Sequence, residues 1–281
     1  MNRLFTFGCS FTNYKWPTWA DILGSEFDQF ENWGKSGAGN LFIFNSLIEC
    51  SARNHLNSQD TVIVMCTNIT REDRYVKNEW ITPGNIYTQN IYDDAFVKKF
   101  ADVRGYAIRD FALIHSARTQ LKHLGVKYIF LSMVDMTSFD QYKVNKIANC
   151  DDIFDLYKES IIEIRPSVHE VVFNHDWWSR PFFNEKFYNI YAGADWPSYD
   201  EFKLNNFSSV PKHIIKEISK LGVTRVDTHA TPIEYLEYIN KVLPEYTISN
   251  KIKTWISEID NRIRNEEDYK DIYTENKPKR F

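Results

Sequence analysis

Ser10 stands in Gly8-Cys9-Ser10-Phe11-Thr12, directly after the apolar run Leu4-Phe5-Thr6-Phe7. A hydroxyl in that turn would sit at the C-terminal edge of a sheet, where open α/β sheets bind their ligands. Far along the chain, Asp227-Thr228-His229 puts a carboxylate and an imidazole one residue apart. A serine hydroxyl attacks carbonyl carbon well only when a neighbouring imidazole takes its proton, and a carboxylate can orient that imidazole. Ser10, His229 and Asp227 therefore supply the residue types of nucleophilic catalysis. Plainer readings exist for each alone: Ser10 and Asp227 as turn formers and His229 as a surface loop histidine. Asp-x-His is also a metal pair, but no further His, Cys or carboxylate cluster at ligand spacing accompanies it, so no metal or cofactor is expected.

The surrounding elements must bring these groups together. Thr231-Pro232-Ile233-Glu234 spells a capping box with Pro in the first turn, so a helix starts just after His229 and continues through Leu236, Ile239 and Leu243. Trp16 to Leu23 predicts a short helix, Phe30 to Trp33 a brief strand, and Leu41 to Asn54 a buried helix. Between the last two lies Gly34-Lys35-Ser36-Gly37-Ala38-Gly39-Asn40, a loop with three glycines. Asp60 to Cys66 and Val126 to Met133 are continuous apolar runs, as expected of parallel strands covered on both faces. Ala95 to Leu124 reads as a long helix interrupted at Gly105, Asp151 to Ile164 as a helix, and Val168 to Phe173 as a fifth strand. Residues 73 to 92 read as an excursion over the sheet edge. Alternating strands and helices imply parallel crossover units, hence an α/β fold: a three-layer α/β/α sandwich around a mostly parallel five-stranded sheet.

Residues 1–245 read as one α/β domain, within which 174–210 is an aromatic-rich insertion or lid. Trp177 and Trp178 head that segment, which serves either as a wall for a substrate such as a sugar ring or as a loop anchored by its aromatics. Residues 246–281 form a polar helix and a charged tail that frays or docks on a partner. The chain has 281 residues, net charge −4 and no long basic run, which argues against a nucleic-acid footprint. No apolar stretch approaches the roughly 20 residues that span a bilayer. The start of the sequence shows no signal-peptide pattern, and Cys9, Cys50, Cys66 and Cys150 are scattered like free thiols in a reducing compartment. A cytoplasmic protein is the expectation; richness in Asn, Lys, Ile, Tyr and Phe also suits a viral or virion-associated one.

Taken in order, these segments resemble the SGNH (GDSL-like) hydrolase family of serine esterases and lipases, whose fold is flavodoxin-like. Gly8-Cys9-Ser10 corresponds to the family's Gly-Asp-Ser after the first strand, with Cys for Asp. Asn32-Trp33-Gly34-Lys35-Ser36-Gly37 corresponds to the glycine loop after the second strand, and Cys66-Thr67-Asn68 to the asparagine after the third, with Cys for Gly. Asp227-Thr228-His229 corresponds to the late acid–base loop, with one intervening residue where the family more often has two. The resemblance implies a Ser10–His229–Asp227 triad and an oxyanion hole made of the Ser10 and Gly37 backbone N–H groups and the Asn68 side chain, with Gly34 and Gly39 as alternatives to Gly37. Trp16, Arg71, Trp177 and Trp178 are candidates for substrate contact; Trp16 packed in the core and Arg71, Asp73 and Arg74 forming a solvated turn are the alternatives. The expected activity is hydrolysis of an ester, first among them a short O-acyl ester of a carbohydrate. A glycan O-acyltransferase with the same triad and an inactive binding module on the same fold remain as rivals.

Overall fold

The computed structural model describes residues 2–87, 91–137, 150–173, 229–265, 267–274 and 278. Four strands, β1 (Arg3–Phe7), β2 (Gln29–Asn32), β3 (Asp60–Cys66) and, after the separate hairpin β4 (Arg74–Val76) and β5 (Glu79–Ile81), β6 (Lys127–Ser132), build the central sheet. The central sheet has the order β2-β1-β3-β6 and every pair in it is parallel. β3 is buried along its whole length, which is why its sequence is apolar without alternation.

The helices are α1 (Trp19–Gly24), α2 (Asn40–Asn54), α3 (Asp94–Phe100), α4 (Val103–Leu124), α5 (Asp151–Leu156), α6 (Lys158–Ile161), α7 (Val168–Val171), α8 (Pro232–Val242) and α9 (Asn250–Arg264). The chain steps from β1 to β2 in one direction and then back past β1 to β3. Right-handed crossovers therefore place α1 and α2 on opposite faces of the sheet. Consistent with this, α2 packs with α4 while α1 packs with α8. The reversal of direction makes the gap between β1 and β3 the topological switch point, and Ser10 and Asn68 follow those two strands.

Several expectations need correction. The fifth strand is absent among the described residues: Val168–Val171 is a helix, started by a capping box in which Ser167 and Glu170 bond each other's backbone N–H groups. The place beside β6 is taken by a single parallel bridge, Phe130 to Ile164, with Arg165 N donating to Phe130 O at 2.9 Å. The long helix breaks at Ala101 and Asp102 instead of Gly105, because Asp102 caps a new helix by accepting from Gly105 N at 2.6 Å. The expected helix from Asp151 divides at Tyr157 into α5 and α6. Residues 74–81 form a hairpin, not an unpatterned excursion. Its two-residue turn, Lys77 (φ 52°) and Asn78 (φ 66°), has type I′ geometry without a glycine, so no Asn-Gly signal marks it.

The expected polar helix of the C-terminal segment is α9. The segment's described part docks on its own chain: Tyr269 and Tyr273 hydroxyls donate to the Lys15 and Tyr14 carbonyls at 3.1 and 3.4 Å. Trp16, Ile259, Ile263 and Tyr273 form a second small core there. The 174–210 segment, with Trp177 and Trp178, and Asp227 lie outside the described residues. No helix of the described residues is long and apolar enough to cross a membrane.

Candidate active site

The chain leaves β1 through a turn that only glycine permits at position 8: a Cβ there would sit 2.0 Å from Thr12 Oγ1. The Cys9 carbonyl accepts from Thr12 N at 2.9 Å and Asn13 N at 3.1 Å, closing a helical turn that presents Ser10. Cys9 itself is fully buried, its thiol against Met133 Sδ at 3.7 Å, as a structural cysteine would be. The other three cysteines are buried and free as well.

Ser10 Oγ lies 2.7 Å from His229 Nε2. For that nitrogen to accept the hydroxyl proton, the neutral imidazole must carry its own proton on Nδ1. The histidine is held from three sides by residues close to Ser10 in sequence. Tyr14 stacks on it at 3.9 Å between centroids and 17° between planes, and Phe11 lies at 4.9 Å. Trp16, buried, donates its indole N–H to the Ala230 carbonyl at 2.9 Å, so it grips the loop immediately after His229. On the far side, Thr231 and Glu234 complete the expected capping box of α8, with Pro232 in its first turn. Tyr14 and Phe11 escaped the sequence reading, although both fall within a turn of Ser10.

The glycine loop is stitched to its surroundings in a way that distinguishes its three glycines. Gly34 N donates to Asn32 Oδ1 at 3.0 Å, and Gly39 N to Asp73 Oδ1 at 2.8 Å. The Gly37 N–H has no hydrogen-bond partner among the described residues. Ala38 N donates to Lys35 O at 3.1 Å, and Gly37 (φ 72°) occupies the third position of that turn, which is type II geometry. Its glycine is demanded twice over, by the positive φ and by the Thr82 carbonyl, which a Cβ would approach to 2.0 Å. Arg71 Nη1 donates to Ala38 O at 2.9 Å and Thr82 Oγ1 to Ser36 O at 2.8 Å, clamping the loop from either side.

Asp73, which is 1% exposed, works as a remote cap for α2: its two oxygens accept from Gly39 N and Phe42 N, both at 2.8 Å. A solvated turn does not describe it. Arg74 is exposed and pairs with Glu72 at 2.8 Å. Burial raises the Asp73 pKa, while the two N–H groups oppose the rise.

Asn68 is buried, and its Oδ1 accepts from Thr70 N at 2.8 Å and Thr70 Oγ1 at 2.6 Å. Its Nδ2 group has no partner among the described residues. The residue before it is fixed by Asn40, which donates to Thr67 O and accepts from Thr67 N, both at 2.9 Å. Asn40 in turn donates to Asp110 at 2.7 Å, and burial pushes the Asp110 pKa up to about 6 against the pull of Arg109. Asn40, Asp73, Thr70 and Asp110 carry no motif in the sequence; their task is defined only by what they touch. Three N–H donors, on Ser10, Gly37 and Asn68, are left unengaged within the described residues. No group of His, Cys, Asp and Glu among the described residues is arranged to hold a metal ion.

No family profile matches the sequence, and no curated protein matches it. One solved structure it matches is a member of the lipolytic protein G-D-S-L family from Veillonella parvula DSM 2008, at 14% identity. The match covers 64% of this chain and 85% of that one with a TM-score of 0.34, too loose a likeness to carry an argument.

Proposed function

We propose that the protein is a serine hydrolase that cleaves an ester through an acyl-enzyme. The observation that carries this reading is the 2.7 Å contact between Ser10 Oγ and His229 Nε2. In the reaction, Oγ attacks the ester carbonyl carbon while its proton passes to Nε2. The carbonyl oxygen becomes an oxyanion, which accepts from Ser10 N–H, Gly37 N–H and Asn68 Nδ2. Collapse of this intermediate breaks the bond to the alcohol, which leaves with the proton from Nε2. A water molecule then repeats the sequence on the acyl-serine and frees the acid. Asp227, two residues before His229, is assigned the Nδ1 side of the imidazole, where it would orient the ring and balance its positive charge. Each oxyanion donor is worth roughly 3–4 kcal/mol in the transition state.

A short acyl group on a carbohydrate is the proposed substrate. A fluorophosphonate should label Ser10 in the wild-type protein, and both Ser10→Ala and His229→Ala should lose the label. A folded wild type that resists labelling would overturn the reading. Analysis of products in the presence of sugar acceptors separates hydrolysis from acyl transfer.

A further inference from the structure

A cleft of about 760 Å³ opens between the Gly34–Ser36 loop, the Asn13–Lys15 segment, the second strand of the β4–β5 hairpin and Pro278. That is within the range of small-molecule sites, about 300 to 1,000 Å³. Tyr14 and Ser36 connect it to the candidate site. Tyr14 lines it and stacks on His229, and Ser36 lines it immediately before Gly37.

We propose that this cleft is the subsite for the alcohol half of the ester, and that it takes a sugar ring bearing a negative charge. This rests on Ser10 being the nucleophile. The leaving oxygen must take its proton from His229 Nε2, so the alcohol lies on the histidine side, where Tyr14 leads into the cleft. Trp80 supplies a fixed flat surface for the apolar face of a ring. It is half-buried and held edge-on by Phe42 at 5.5 Å and Tyr75 at 5.7 Å.

The charges set the sign of the ligand. Among the described residues, Lys15 and Lys35 line the cleft against one carboxylate, Glu79. The Lys35 ammonium forms no hydrogen bond or ion pair among the described residues, and Lys15 Nζ stands 4.8 Å from the Trp16 ring centroid. Glu79 is left as an acceptor for ring hydroxyls. The hairpin that carries Trp80 is also tied to the Gly37 loop through Thr82 and Ser36, so a ring in the cleft bears on the segment that holds the oxyanion donor.

The test uses the full chain with an O-acetylated hexuronic acid oligosaccharide and with p-nitrophenyl acetate, which has only a small alcohol. Trp80→Ala and Lys35→Glu should each lower the ratio of kcat/KM for the two substrates at least tenfold, chiefly through KM on the oligosaccharide. In parallel, calorimetry on Ser10→Ala with unacetylated oligosaccharides should show the hexuronic acid form binding at least fivefold tighter than the neutral hexose form. Adding Lys35→Glu should abolish that preference. An unchanged ratio in both variants while fluorophosphonate still labels Ser10 would overturn the cleft assignment, as would equal binding of the acidic and neutral oligosaccharides. Loss of labelling in the wild type would instead strike the nucleophile, and calorimetry alone would then decide the cleft.

Discussion

At the scale of single residues, His229, the proposed base, is held by the segment that carries its partner. Tyr14 covers one face of His229 at 3.9 Å, and Trp16 fixes the next carbonyl. An imidazole that becomes positively charged during attack gains from such aromatic faces by about 0.5–2 kcal/mol. Tyr14 is therefore a positioning residue. Tyr14→Ala should lower kcat about two- to thirtyfold, each 1.36 kcal/mol being a factor of ten. Tyr14→Phe, which keeps the ring, should stay within about threefold. Steady-state kinetics and the rate of fluorophosphonate labelling check this, and failure of the Phe variant to rescue would mean that the stack is not what matters.

At the scale of elements, the glycine loop depends on a chain of polar contacts that runs through the start of α2. Asp73 joins the loop, the helix terminus and the segment after β3 in one carboxylate. Asp73→Ala leaves two buried N–H groups without acceptors, each costing about 1–3 kcal/mol. The variant should lose at least about 2 kcal/mol of stability in urea. It should also lose activity, because Gly39 is two residues from Gly37. Retained activity at full rate would show that the loop holds its shape without its anchor. The loops after β1 and β2 are joined in a similar manner, by Asn32 Nδ2 to Thr12 O at 2.7 Å and Lys35 N to Gly8 O at 3.1 Å.

At the scale of the whole molecule, two features set stability. The first is titration of buried carboxyls. Asp21 is pushed up to about 6 by burial, although Thr18 and Asn32 donate to it. Its carboxyl keeps a proton in the folded chain between about pH 4 and 6, where the unfolded chain has released it. The folded state therefore gains from Asp21 at low pH and loses that gain as pH rises through about 6, by an amount on the order of 1–3 kcal/mol. The difference in Tm between wild type and Asp21→Asn should move in the variant's favour from pH 4 to 7, by calorimetry; a constant difference would refute the shift. The second is the docked C-terminal segment. Tyr269 and Tyr273 brace the Tyr14–Lys15 backbone, and Trp255 Nε1 holds Ile272 O at 2.9 Å. Ending the chain after Asn265 should lower Tm and reduce kcat, with a smaller loss in the double phenylalanine variant at 269 and 273, where the rings remain. Full activity of the shortened chain would show that the catalytic unit stands without this brace.

By itself the sequence determined what short-range rules control. The apolar β-branched run makes β3, and Thr231-Pro232-Ile233-Glu234 starts α8 where expected, because strand burial and helix capping act within a few residues. Ser10 and His229 were legible as types, and Gly37 and Asn68 through the resemblance of their motifs. The fifth strand misread Val168 to Phe173, since its β-branched content outweighed a Ser167–Glu170 capping box in plain view. Only the tertiary structure decided the rest. It brought together a serine and a histidine 219 residues apart, engaged the N–H groups of Gly34 and Gly39 but, within the described residues, not that of Gly37, and turned Asp73 into a cap. Those outcomes depend on strand order and on which helix packs against which, long-range choices that no local pattern carries.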